Sequence, residues 1–125
     1  MKITIRNKIK IDQQEELIKE SYNGNIKQNA EKIMLMYENV AKEKVLIKFD
    51  QKELTMTRFA DKAVSMHFNP EKSSTTPYEG LGNLTILTEK LIFNPEQHNI
   101  KISYQLIQHN QKIGDYKLRI DWSDE

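Results

Sequence analysis

The last third of the chain alternates between apolar and polar residues with almost no interruption. Ile100, Ile102, Tyr104 and Leu106 alternate with Lys101, Ser103 and Gln105, and Tyr116, Leu118, Ile120 and Trp122 alternate with Lys117, Arg119 and Asp121. A repeat of two sends successive side chains to opposite faces of a strand. These segments predict long antiparallel strands with one apolar, aromatic face and one charged, wet face. Strands this long and one-sided suit a large curved sheet closed around an interior.

The same logic runs through the rest of the chain. Ile3, Ile5, Ile9 and Ile11 share one parity, while Lys2, Arg6, Lys8 and Lys10 share the other, which makes a strand with a basic outer face. Glu16 to Gln28 is polar, and Asn23-Gly24 signals a turn or a bulge. Two hairpin arms and one bent strand both fit. Residues 29 to 42 are ambiguous. Ile33, Met36, Tyr37 and Val40 fit a helical face that Asn29 would cap, yet Ile33 to Tyr37 is also a continuous apolar run of strand length.

From Glu43 the strand pattern is firmer. Val45, Ile47 and Phe49 alternate before Asp50-Gln51-Lys52 turns the chain. Leu54, Met56 and Arg58 share one face, with Thr55, Thr57 and Phe59 on the other. After a turn at Ala60-Asp61-Lys62, Val64, Met66 and Phe68 oppose Ser65 and His67. Residues 69 to 77 read as a loop by composition. Gly80 and Gly82 precede a strand around Leu84 to Phe93, and turns at residues 94–97 and 109–111 close the last hairpins.

Composition narrows the class. A chain of 125 residues fits one domain, 1–125, with a single core. Its 19 basic and 18 acidic residues nearly cancel, so no global field draws in nucleic acid or an anionic membrane. The absence of cysteine excludes disulfides and thiolate chemistry and suits a reducing cytoplasm. The N-terminal segment reads as a strand rather than a signal peptide, and no apolar run is long enough to span a bilayer.

Several segments, in order, resemble one family. They are Tyr37-Glu38, Val45 to Phe49, Thr57-Arg58-Phe59, Met66-His67-Phe68, Tyr78, Gly82, Ser103 to Leu106, and Tyr116-Lys117-Leu118. Together they resemble the DUF1934, or YwiB-like, family of small bacterial proteins of unknown function with a lipocalin-like (calycin-type) barrel. Two positions depart from the family pattern. Ala60 stands where a Gly is usual, and Tyr78-Glu79-Gly80 lacks a Thr before its Gly. The resemblance favours strand over helix for Ile33 to Tyr37. It implies an all-β fold, one closed antiparallel barrel of about eight to ten strands, and adds no chemistry.

Little in the chain points to catalysis. The three histidines are scattered: His98 and His109 fall in turns, and alternation sends His67 outward. No spacing suits a metal, no nucleophile motif is present, and glycine is too sparse for a phosphate cradle. No cofactor is expected. Arg58 carries the sharpest hypothesis, because its parity places a guanidinium inside the barrel or at its mouth. Tyr104, Tyr116 and the loop residue Tyr78 would add hydroxyls, and Met66 an adaptable wall. Arg with Tyr is a good anchor for an anion whose tail lies on apolar walls. The plainer alternatives are a solvated Arg58 paired with an acid such as Glu38, methionines that fill gaps, and a basic N-terminal face that discourages edge pairing.

The expected function is non-catalytic binding of a small amphipathic or anionic ligand by Arg58, Tyr78, Tyr104, Tyr116 and Met66. The alternative is an interaction module or homodimer acting through its outer surface, motivated by the run Ile33 to Tyr37, apolar on both parities.

Overall fold

The structure is a computed structural model that describes residues 1–29, 31–78 and 80–124. Ala30, within the stretch that pattern alone leaves between helix and strand, lies outside the described residues, as do Glu79 and Glu125. Ten strands follow one another. They are β1 (Lys2–Ile11), β2 (Gln14–Gln28), β3 (Ile33–Glu38), β4 (Lys44–Phe49), β5 (Leu54–Phe59), β6 (Ala63–Phe68), β7 (Ser74–Tyr78), β8 (Gly82–Asn94), β9 (Asn99–Gln108) and β10 (Gln111–Ser123). No helix among the described residues is long and apolar enough to cross a membrane.

All ten belong to one antiparallel sheet in the order β6-β5-β4-β3-β2-β1-β10-β9-β8-β7. Its two terminal strands meet and nearly close it into a barrel. The seam between β6 and β7 is held by side chains, not by a backbone ladder: the Thr76 hydroxyl donates to the Ser65 carbonyl at 3.0 Å, and the Ser74 hydroxyl to the His67 carbonyl at 2.5 Å. The segment that composition marks as a loop thus contains β7. Only residues 69–73 of it are irregular. Its Ser and Thr residues supply the seam bonds, and Pro77 is tolerated because β7 ends the hydrogen-bonded order.

Residues Ile33–Glu38 form a strand. Asn29, the candidate helix cap, accepts from the Lys32 amide at 3.0 Å in a turn instead. Asp50 makes the same kind of turn, accepting from Lys52 and Glu53 amides at 2.8 and 3.0 Å. Glu16 to Gln28 resolves as part of one bent strand. Up to Asn23 it pairs with β1, and from Gly24 it pairs with β3. Gly24 sits at this change of neighbours, where a Cβ would lie 2.3 Å from the Met36 carbonyl oxygen and 2.6 Å from Ile3 Cδ1. Only glycine lets the strands approach that closely.

Alternation sorts the side chains as the pattern requires. Ile3, Leu35, Ile47, Leu54, Ile100 and Ile120 point inward and are wholly buried. Each such side chain stabilises the fold by roughly 1.5–3 kcal/mol relative to exposure. The barrel end where β4 finishes and β5 begins, here the lower end, is plugged by aromatic rings. Phe49 lies 5.3 Å from both Phe93 and Trp122. His98 stacks on Trp122 at 6.0 Å from the turn outside, and His67 faces outward within 3.4 Å of Glu53.

Candidate functional site

The upper half of the barrel is not filled. Inward residues of β1, β2, β3, β5, β6, β7, β9 and β10 surround a cavity of ≈ 240 Å³. Met56, Met66 and Phe68 give it an apolar wall, Asn7, Tyr37, Tyr78 and Tyr104 give it hydrogen-bonding groups, and Glu20 adds a carboxylate. It adjoins a hollow of ≈ 400 Å³, which Met56, Met66 and Tyr78 also line and which Arg58 and Val64 flank at the barrel mouth. A larger hollow of ≈ 530 Å³ lies at the lower end, between the turns at Asn29, Asp50 and Pro95. Asn29 and Asp50 are already engaged there as turn acceptors.

Of the residues singled out in the sequence, Met66, Tyr78 and Tyr104 converge on the upper cavity. Tyr116 stands behind Tyr104, its ring stacked at 5.0 Å and tilted by 9°. Arg58 does take the inward parity, opposite Val45 and Val64. Its place near the end of β5 leaves it at the rim, with its side chain 51% exposed and 3.8 Å from the Glu43 carboxylate. Glu43, not Glu38, is its acidic neighbour.

The tyrosines are held in their neutral form. Burial pushes the Tyr104 hydroxyl well above its ordinary pKa, and Tyr78 and Tyr116 add to the shift, while a hydrogen bond from Asn7 works against it. Burial also raises Tyr78, and Tyr116 is raised by burial and by Tyr78. Tyr37 is pushed up to about 12, by burial first and then by the negative charge of Glu20. Tyr22 stacks on Tyr37 at 4.5 Å and donates its hydroxyl to the Glu20 carboxylate. At neutral pH these phenols are hydrogen-bond donors and acceptors, not anions.

Asn7 is the residue that sequence reasoning missed. It belongs to the apolar parity of β1, between Ile5 and Ile9, and the polar interruption of that run was the available signal. Its Oδ1 is buried and has no hydrogen-bond partner. A buried acceptor left unpaired costs about 1–3 kcal/mol, and Asn7 is one of the residues that line the cavity. Its walls set hydrogen-bond donors and acceptors beside apolar surface. Among the described residues, no cluster of three or more His, Asp or Glu side chains could hold a metal ion.

A nearly closed antiparallel barrel with one plugged half and one polar-lined cavity is thus the class of protein defined by fold and site. The sequence profile described as domain of unknown function DUF1934 matches residues 3–120, and the chain belongs to that family. Among solved structures it is similar to the ywiB protein from Bacillus subtilis, with 18% sequence identity, a TM-score of 0.74, and coverage of 98% of this chain and 91% of the other. That likeness establishes the fold. No curated protein matches the chain.

Proposed function

We propose that the protein is a non-catalytic binder of a small amphipathic molecule, held in the upper half of the barrel. The observation that carries this reading is Asn7, whose Oδ1 is buried and unpartnered, among the residues that line a ≈ 240 Å³ cavity with apolar side chains, neutral phenols and the Glu20 carboxylate. An apolar tail would lie on Met56, Met66 and Phe68. A hydroxyl or amide on the molecule would satisfy Asn7 and Tyr104. An anionic end would reach Arg58 at the mouth, because an exposed ion pair at 3.8 Å with Glu43 gives up little when Arg58 changes partner.

Isothermal titration calorimetry with octanoate, octanol and octylammonium tests this reading. Octanoate is expected to bind more tightly than the other two, and Arg58→Gln to remove that preference while leaving octanol binding unchanged. If no amphiphile binds, and native mass spectrometry of freshly purified protein shows no retained small molecule, the reading falls.

A second reading, assembly of two copies through the outer surface, is favoured by a separate observation. Residues 14–23 of β2 pair with β1 on one side, while β3 meets β2 only from Gly24 onward.

A further inference from the structure

The geometry points to a two-fold dimer in which the open edges of two copies of β2 pair antiparallel, centred on Leu17. This inference rests on the assembly reading and assigns it a surface and a register.

The edge is competent to pair. The Gly24 amide donates to the Met1 carbonyl at 2.9 Å. In an antiparallel ladder such bonds recur at every second residue. Even-numbered residues of β2 therefore turn their amides and carbonyls toward β1, and odd-numbered residues turn theirs away. Beyond Gly24, Asn25 and Lys27 of that outward-turned set meet β3. Earlier in the strand, the backbone groups of Glu15, Leu17, Lys19 and Ser21 have no strand beside them among the described residues. Such an edge is a template for another strand.

The side chains select the second copy as the occupant. Leu17 is 64% exposed at the middle of the edge, facing outward between Glu15 and Lys19. A two-fold axis normal to the sheet pairs residues of equal parity, so that each keeps its face. With the axis at Leu17, the two Leu17 residues meet, and Glu15 of each copy stands opposite Lys19 of the other. Leu17, Glu15 and Lys19 all belong to the set whose backbone groups are free, so this register allows full ladder bonds. It also meets a local charge need. Lys19 lies directly across from Arg6 of β1, a like charge, and Arg6 already engages Asp121 at 2.9 Å. Like charges opposite one another are unfavourable, and an incoming carboxylate offsets them. A register centred on Lys19 instead would set two lysines face to face.

The absence of native cysteine makes the register directly readable. Leu17→Cys would place two sulfurs across the axis, on residues about 5.5 Å apart between Cα atoms in a hydrogen-bonded pair, within disulfide range. It is expected to form a covalent dimer on mild oxidation, whereas Ser21→Cys is not. Sedimentation equilibrium should show a dimer for the unmodified chain. Glu15→Lys and Lys19→Glu should each weaken it about tenfold, and the double variant should restore it. A dimer that is indifferent to both charge reversals, or that cross-links through Ser21→Cys, overturns the edge and register and leaves assembly elsewhere standing. A monomer at the highest soluble concentration overturns both.

Discussion

The two halves of the barrel are built from the same alternating strands yet reach opposite ends. In the lower half, Phe49, Phe93 and Trp122 interlock beneath wholly buried Ile47 and Ile120, with Ile3 beside them. In the upper half the same inward parity carries Asn7, Tyr37, Tyr104 and Arg58, and a cavity remains. Alternation decides only which side chains face inward. Whether they fill the interior depends on how closely their shapes pack. The lower half is closely packed, and the upper half leaves a cavity lined partly by polar side chains.

The largest test of this division is truncation of the plug. Phe49→Ala removes a ring that touches both Phe93 and Trp122, and should destabilise the protein by about 3–5 kcal/mol in chemical denaturation. Met66→Ala, on the cavity wall, should cost far less, because no tightly packed volume is lost. Equal losses at the two positions would mean that the halves do not differ.

Next in size is the corner of β2. In Gly24→Ala the new methyl group meets the Met36 backbone oxygen at 2.3 Å, and backbone cannot move aside as a side-chain tip can. A loss of about 3 kcal/mol is expected. The corner separates the stretch of β2 that pairs with β3 from the exposed stretch beyond. Amides of β3 should therefore lose hydrogen-exchange protection while those of β8 and β9 keep it.

A third test uses pH. Tyr37 has an ordinary pKa of 10.0, raised to about 12 in the folded protein by burial and Glu20. The unfolded chain therefore gives up this proton first as pH rises. The stability linked to Tyr37 is fully present below pH 10.0 and is lost as pH climbs through about 12. The loss amounts to roughly 2–3 kcal/mol. Denaturation curves of the protein and of Tyr37→Phe, taken from neutral to alkaline pH, should diverge in that window. Parallel curves would remove Tyr37 from the buried wall.

These contrasts also mark what the sequence disclosed. Parity located Arg58, Tyr104 and Tyr116 on the inward face, because a period of two is a direct consequence of strand geometry. Depth along the barrel axis was not legible. It depends on how neighbouring strands stagger, and that places Arg58 at the rim, beside Glu43. The Ser/Thr/Pro-rich segment before Tyr78 looked like a loop because its polar side chains make the β6–β7 seam, a long-range contact with no local signature. Residues 29–42 stayed ambiguous for a similar reason. Met34 and Met36 face outward and are only half-buried, and an apolar run covered on both sides has the same pattern in either element. Asn7 was readable as a break in an apolar face, but its significance needed the cavity in front of it.

The smallest expected effect on stability is the most informative. Asn7→Leu replaces a buried acceptor that has no partner with an apolar group of similar size. The loss of the Asn7 amide, which lowers the Tyr104 pKa, opposes the relief of the unpaired oxygen. The first is about 1 kcal/mol and the second about 1–3 kcal/mol, so stability should be nearly unchanged or rise by up to about 2 kcal/mol. Octanol binding, by contrast, should weaken about tenfold, since the hydroxyl loses its acceptor. Stability and affinity then move independently, as expected of a residue retained for a ligand. If Asn7→Leu instead unfolds the protein as readily as Phe49→Ala, Asn7 belongs to the architecture and the upper half is a core with a polar member. If both stability and binding are untouched, the ligand's polar end lies at the mouth, near Arg58 and Tyr78, and the site shifts outward along the barrel axis.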